Sequence, residues 1–161
     1  TRALSSAASD VYKRQYYKDP THVYSHRAHM VGLTSNGKLR PYNDWEEEIS
    51  GISGALVFPT GGSGCLYKKS LLYKDVCNED LFMKLAPKAD DVWFYFMEIL
   101  QQTTCVVLAN EGYIYIPLDV FYQHFHKGSS LYSSNCLESQ NDIQIEAVMK
   151  YYGIDMKELI K

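Results

Sequence analysis

Apolar residues along this chain fall into two kinds of pattern, and each predicts a different element. From Ala89 to Gln102 the run ADDVWFYFMEILQQ sets Val92, Trp93, Phe96, Met97 and Leu100 at helical spacing, so they share one stripe of a helix. The acidic pair Asp90-Asp91 at its start complements the positive end of the helix dipole. A second helix is expected over Asn141–Tyr152, capped by Asn141 or Asp142 and closed by Gly153, with a short final turn from Asp155. A shorter one is expected over Asn78–Leu85, stopped by Pro87.

The other pattern is extended. His22–Val31 (HVYSHRAHMV) is rich in β-formers and reads as one strand, followed by a turn at Asn36-Gly37. Ile49–Phe58 is apolar with glycines at 51 and 54, which fits a buried strand closely approached by other backbone. Thr103–Ala109 and Tyr113–Leu118 are β-branched runs around Asn110-Glu111-Gly112 and read as paired strands. Pro41–Glu48 is polar apart from Tyr42 and Trp45 and reads as a loop or a short helical turn. Strands mixed with helices give an α/β or α+β class. From Tyr16 onward there is no linker, repeat or low-complexity tract, so one compact unit is expected.

Composition narrows the function classes. The chain has 161 residues, 46% hydrophobic and 22% charged, with a formal net charge of −3. A chain of this length buries roughly 70% of the surface it exposes when unfolded, enough for one domain. The balanced charge, without a lysine or arginine cluster, argues against a nucleic-acid partner, which needs a dense positive footprint. No apolar run reaches the ~18 residues of a membrane span. The four cysteines, at 65, 77, 105 and 136, form no CxxC pair, and the histidines complete no zinc-finger spacing. They read as reduced and mostly buried, which points to a cytoplasmic setting. The first fifteen residues, TRALSSAASDVYKRQ, have no period and no apolar face, and they resemble translated adapter or linker sequence. Residues 1–15 are therefore expected to be a non-native or poorly ordered tail and are set aside.

Four groups of residues could carry chemistry. Asp90 and Asp91 could cap their helix and complement its dipole, or one could cap while the other projects into a cleft as a general base or an acceptor for sugar hydroxyls. The loop TGGSGC places glycines at 61, 62 and 64, which permit close approach to a ligand or simply a tight turn, and match no Walker or Rossmann fingerprint. On a strand His22 and His26 would share a face and His29 would point the other way, so these three make no metal site. His124 and His126, near Asp119, could help hold a divalent cation or be two exposed loop histidines. Trp93 belongs to the helix stripe, whereas Trp45 with Tyr42 could form a stacking platform for sugar rings.

Taken in order, YYKDPTHVYSHRAHMV, the stretch Tyr42-Asn43-Asp44-Trp45, FPTGGSGCLYKKSLL, FMKLAPKADDVWFYFMEIL and NDIQIEAVMKYYG resemble bacterial GT-A type glycosyltransferases. These are the family-2-like enzymes of capsule and lipopolysaccharide assembly. The most specific block is the glycine loop, Leu-Tyr, and then P-x-A-D-D-V-W. The likeness runs from Tyr16 to about Tyr152 and covers only the C-terminal, acceptor-side half of such an enzyme.

The resemblance implies a partial GT-A fold, a mixed sheet flanked by helices, with residues 16–161 forming the acceptor-side part. The nucleotide-binding half and its D-x-D motif would then lie upstream of Tyr16, since this sequence contains no D-x-D triplet. It further implies that Asp91 or Asp90 supplies the catalytic base, that Gly61, Gly62 and Gly64 line the cleft, and that Trp93 anchors the helix. The partners implied are a nucleotide-sugar donor and a saccharide or glycolipid acceptor, with divalent Mn or Mg in the full-length enzyme. The parent would work in the cytoplasm or at the inner face of the membrane, and the fragment alone would be inactive. The competing expectation is a non-catalytic carbohydrate-binding or protein-interaction module, in which Asp90 serves only as a cap and Asp91 faces solvent.

Overall fold

The computed structural model describes residues 13–109 and 139–160. Residues 13–18 are helical (α1). Seven short strands follow: β1 (Val23–Ser25), β2 (Ala28–Met30), β3 (Glu46–Ile49), β4 (Ser53–Gly54), β5 (Val57–Pro59), β6 (Cys65–Leu66) and β7 (Cys105–Val107). Three longer helices, α2 (Glu79–Leu85), α3 (Asp90–Gln101) and α4 (Gln140–Tyr152), complete the described architecture with several 3₁₀ turns. The class is mixed α/β.

The strands make two sheets. One is mixed, in the order β4-β7-β1-β6, with β7 parallel to β1 and the other pairs antiparallel. The second is antiparallel, in the order β3-β2-β5. The expected single strand over His22–Val31 is in fact β1 and β2, one in each sheet. The Ser25 hydroxyl causes the break: it donates to the Arg27 carbonyl at 2.6 Å and accepts from the Arg27 amide at 3.3 Å. A side chain that bonds its own backbone two residues on competes with the ladder and turns the chain.

The expected strand Ile49–Phe58 is likewise divided, among β3, β4 and β5. Gly51 and Gly54 adopt φ of 66° and 155°, and nothing lies within 4 Å of where their Cβ atoms would be. These glycines supply backbone conformation, not room for a neighbour. The turn at Asn36-Gly37 forms as expected, with Gly37 at φ 78° and Thr34 and Lys38 bonded across it. Pro41–Glu48 contains a 3₁₀ turn at Tyr42–Asp44 and then β3.

The helices form where the pattern places them. Asn78 caps α2 by accepting from the Leu81 amide, and α3 ends at Gln102 in the left-handed region. The N-cap of α4 differs from expectation: it is Ser139, because Asn141 is buried and the Asp142 carboxylate accepts from the Tyr42 amide at 2.7 Å instead. Gly153 closes α4 at φ 65°. Tyr113–Leu118 lies outside the described residues.

Helix α3 is the spine of the core. Val92, Trp93, Tyr95, Phe96, Met97 and Ile99 are all buried, a wider face than the expected stripe, since α3 packs against both α4 and β5. Two of its buried aromatic side chains are bonded to the surrounding chain. The Tyr95 hydroxyl donates to the Ala55 carbonyl at 2.8 Å, and the Trp93 indole donates to the Val76 carbonyl at 3.1 Å. Removing the first of these leaves the carbonyl of half-buried Ala55 without that donor. Tyr95→Phe should therefore cost about 1–2 kcal/mol and lower the melting temperature by a few degrees; an unchanged thermal midpoint would show that the bond contributes nothing.

Candidate functional site

The site is built where the turn between β1 and β2, the glycine loop and the start of α3 meet. Residues 61–63 form a 3₁₀ turn, closed by the Gly64 amide donating to the Gly61 carbonyl at 3.0 Å, with Gly64 at φ 96°. Two bonds to the Arg27 carbonyl, from the Thr60 amide at 3.0 Å and its hydroxyl at 3.3 Å, hold the loop's near end. The His26 amide bonds the Gly64 carbonyl at 3.3 Å and holds the far end.

Into this frame α3 delivers Asp91. Its Oδ1 accepts from the Gly61 amide at 2.8 Å. A Cβ at Gly61 would stand 2.8 Å from that same oxygen, so a glycine is needed for the carboxylate to sit there. Asp91 is half-buried, and burial pushes its carboxyl up from 3.8 to about 6. The Gly61 amide opposes the shift, the neighbouring Asp90 adds to it, and Arg27 opposes it again.

The adjacent acid goes elsewhere. Successive helix residues point about 100° apart, and Asp90 lines a separate depression of about 310 Å³ with Glu79, Phe82, Trp93 and Phe94. Neither carboxylate caps α3, whose N-cap is Ala89. A larger groove of about 900 Å³, between the Leu39–Pro41 segment and α4, touches neither acid.

Several groups around Asp91 carry no signal as motifs. Arg27 pairs with Glu48 at 2.6 Å. The Cys65 thiol, 3.3 Å from the Ser25 hydroxyl, is pushed up to about 11 chiefly by burial, which leaves it a poor nucleophile at neutral pH. Glu98, two helical turns beyond Asp91, is 2% exposed, and its Oε1 has no hydrogen-bond partner. Burial holds its carboxyl well above the usual range. The Tyr67 hydroxyl is buried and unpartnered too, and burial, Cys65, Glu98 and Asp91 all raise it. Glu98 stands out in the sequence only as a lone acid in an apolar helix. Tyr67 is visible only as one tyrosine among fourteen.

Of the expected site residues, Asp91 and Gly61 are in direct contact, and Gly62 and Gly64 shape the same loop. Trp93 anchors α3 from the core at 2% exposure. Trp45 is no stacking platform: it is 4% exposed, its indole donates to the Arg40 carbonyl at 3.0 Å, and its ring packs on Tyr42 and Phe58. Gly32 approaches that ring so closely that a Cβ would be 3.0 Å from it, which seals the indole into the core. His29 is buried with both ring nitrogens unpartnered and stacks on Tyr42, and burial holds it below its ordinary value. His124 and His126 lie outside the described residues.

Among the described residues no three His, Cys, Asp or Glu side chains converge as metal ligands. The two aspartates diverge and one oxygen of Asp91 is given to Gly61, so these residues do not fit a metal centre. Among the described residues no helix is long and apolar enough to cross a membrane. No family model, curated protein or solved structure matches this chain.

The raised Asp91 carboxyl has a thermodynamic signature. The folded state holds this proton to about pH 6 while the unfolded chain releases it near 3.8, so the stability it contributes is complete below 3.8 and lost as pH rises through 6. The loss is on the order of 2–3 kcal/mol. Asp91→Asn, neutral throughout, should gain on the parent by roughly 5 °C in melting temperature between pH 4 and pH 8. A melting-temperature offset that stays flat across that range counts against a buried, proton-holding Asp91.

Proposed function

We propose that this chain is the acceptor-side part of a GT-A type glycosyltransferase and that Asp91 is its catalytic base. The observation that carries the reading is the Asp91 carboxylate held against the Gly61 amide, half-buried, with its proton affinity tuned to about pH 6. A base tuned near neutrality is ionised under working conditions yet still accepts a proton as the acceptor reacts. The environment suits that task. One oxygen is fixed by the loop, which sets the orientation of the group and leaves the second oxygen for a hydroxyl.

In this reading an acceptor saccharide or glycolipid hydroxyl gives its proton to Asp91 as its oxygen bonds to the anomeric carbon of the donor sugar. The bond from that carbon to the nucleoside diphosphate breaks, and the electron pair leaves with the diphosphate. The donor is held by the nucleotide-binding half of the parent protein, preceding residue 16, and the enzyme acts in the cytoplasm or at the inner membrane face. Support is weaker for the carbohydrate-binding module, because its stacking residue Trp45 is in the core and Asp91 is bonded to the loop and not free in solvent.

The test is made in the parent protein carrying the upstream half. Asp91→Asn should lower kcat by a factor on the order of 10²–10⁴, with a much smaller change in acceptor KM. The parent's kcat/KM should fall with unit slope below about pH 6, following the ionised fraction of Asp91. Full activity in the variant would overturn the role of Asp91. Nucleotide-sugar turnover by the 161-residue chain alone would overturn the placement of the donor site upstream.

A further inference from the structure

We propose that Ser25 is the positioning residue for Asp91: its hydroxyl aims the Arg27 carbonyl at Thr60 and so sets where the Gly61 amide meets the carboxylate. The positioning is a matter of geometry, and only its use in catalysis rests on the reading of Asp91 as the base. Ser25 is 0% exposed in β1, the strand that lies between β6 and β7. It is in register with Cys65 on one side and Val107 on the other, and its carbonyl accepts from the Leu108 amide at 2.9 Å. The backbone that carries the hydroxyl is therefore fixed by the sheet.

A hydroxyl has one proton to donate and two lone pairs that accept. Ser25 uses all of them. It donates to the Arg27 carbonyl at 2.6 Å, and it accepts from the Arg27 amide and the Cys65 thiol, each at 3.3 Å. The Arg27 carbonyl also accepts from the Thr60 amide at 3.0 Å and the Thr60 hydroxyl at 3.3 Å, and Thr60 is 5% exposed. The next residue is Gly61, whose amide donates to Asp91 at 2.8 Å. A displaced Arg27 carbonyl therefore carries Thr60 with it and moves the amide that holds the carboxylate. The charged and titratable groups that act on or with Asp91 are Asp90 on its own helix, Arg27 from the β1–β2 turn, Cys65 on β6 and Tyr67 just after it. Removing an uncharged hydroxyl changes the charge of none of them, so a change at Asp91 reports the loop bond.

The probe is the Gly61 amide of the 161-residue chain, followed by NMR through a pH titration, because its resonance tracks the ionisation of the carboxylate bonded to it. The unaltered chain should titrate at about 6. The amide bond favours the ionised carboxylate, so weakening it moves the midpoint upward. Ser25→Ala should raise the midpoint to about 7 and speed exchange of the Gly61 amide proton on the order of tenfold. Thr60→Val removes only the hydroxyl bond to Arg27 and decides the matter where Ser25→Ala does not fold. It should raise the midpoint about half as far, and Thr60→Ser should restore it. Tyr95→Phe, which costs stability through a bond outside the loop, should leave the midpoint unmoved. An unmoved or lowered midpoint in either folded variant, or an equal rise in Tyr95→Phe, overturns the positioning. A midpoint that rises while the acid limb of kcat/KM in the parent protein stays in place upholds the positioning and overturns the reading of Asp91 as the base.

Discussion

The bond from the Gly61 amide to the Asp91 carboxylate joins two parts of the chain that are 30 residues apart in sequence. On one side it fixes the glycine loop, which is already tied to the β1–β2 turn through the Arg27 carbonyl. On the other it fixes the rotation of α3, because the side chain that reaches the loop is at the first turn of the helix. With that rotation set, Trp93, Phe96 and Met97 face the core, and Asp90 is left on the far side of the helix end. The bond also keeps a carboxylate where burial opposes its charge, and the amide compensates only in part. Stability is given up there in return for a group that exchanges its proton near neutral pH.

The α3 periodicity announces that helix and most of its buried face, and the Gly153 stop of α4 is equally visible as local chemistry. The extended segments are less legible. His22–Val31 looks like one strand because β-propensity sums over residues, whereas the break depends on one hydroxyl turning back on its own backbone. Gly51 and Gly54 are conspicuous in Ile49–Phe58, but composition does not tell a glycine that makes room from one that takes a positive φ. Trp45 sits in a polar stretch and so suggests exposure. Its burial follows from Gly32 and Arg40, which the local pattern does not associate with it.

The candidate site is legible to the same extent. Asp90, Asp91 and the glycine loop are marked by residue type, but their relation to one another is tertiary, and only the fold shows that one acid meets the loop and the other does not. Arg27, Cys65 and Tyr67 gain their meaning from being brought near Asp91 by parts of the chain outside α3, and Glu98 gains its own from what covers the helix. Glu98 is the plainest case: helical spacing places it two turns from Asp91, but whether such an acid faces water or the sheet depends on what covers it.

Adjacent positions on a helix are the simplest way to give two identical side chains different surroundings. At the start of α3 the rotation between neighbours sends one carboxylate to the Gly61 amide and partial burial, and the other to an exposed position at the rim of a separate depression. The first environment raises proton affinity and suits chemistry on a hydroxyl. The second leaves an exposed carboxylate with no ion-pair partner among the described residues. A swap to Asn at either position would therefore remove a different property, though the two residues share a helix turn and the same residue type. The separation rests on α3 being held at one rotation, and that returns the dependence to the Gly61 amide and to the glycine that lets the carboxylate approach it.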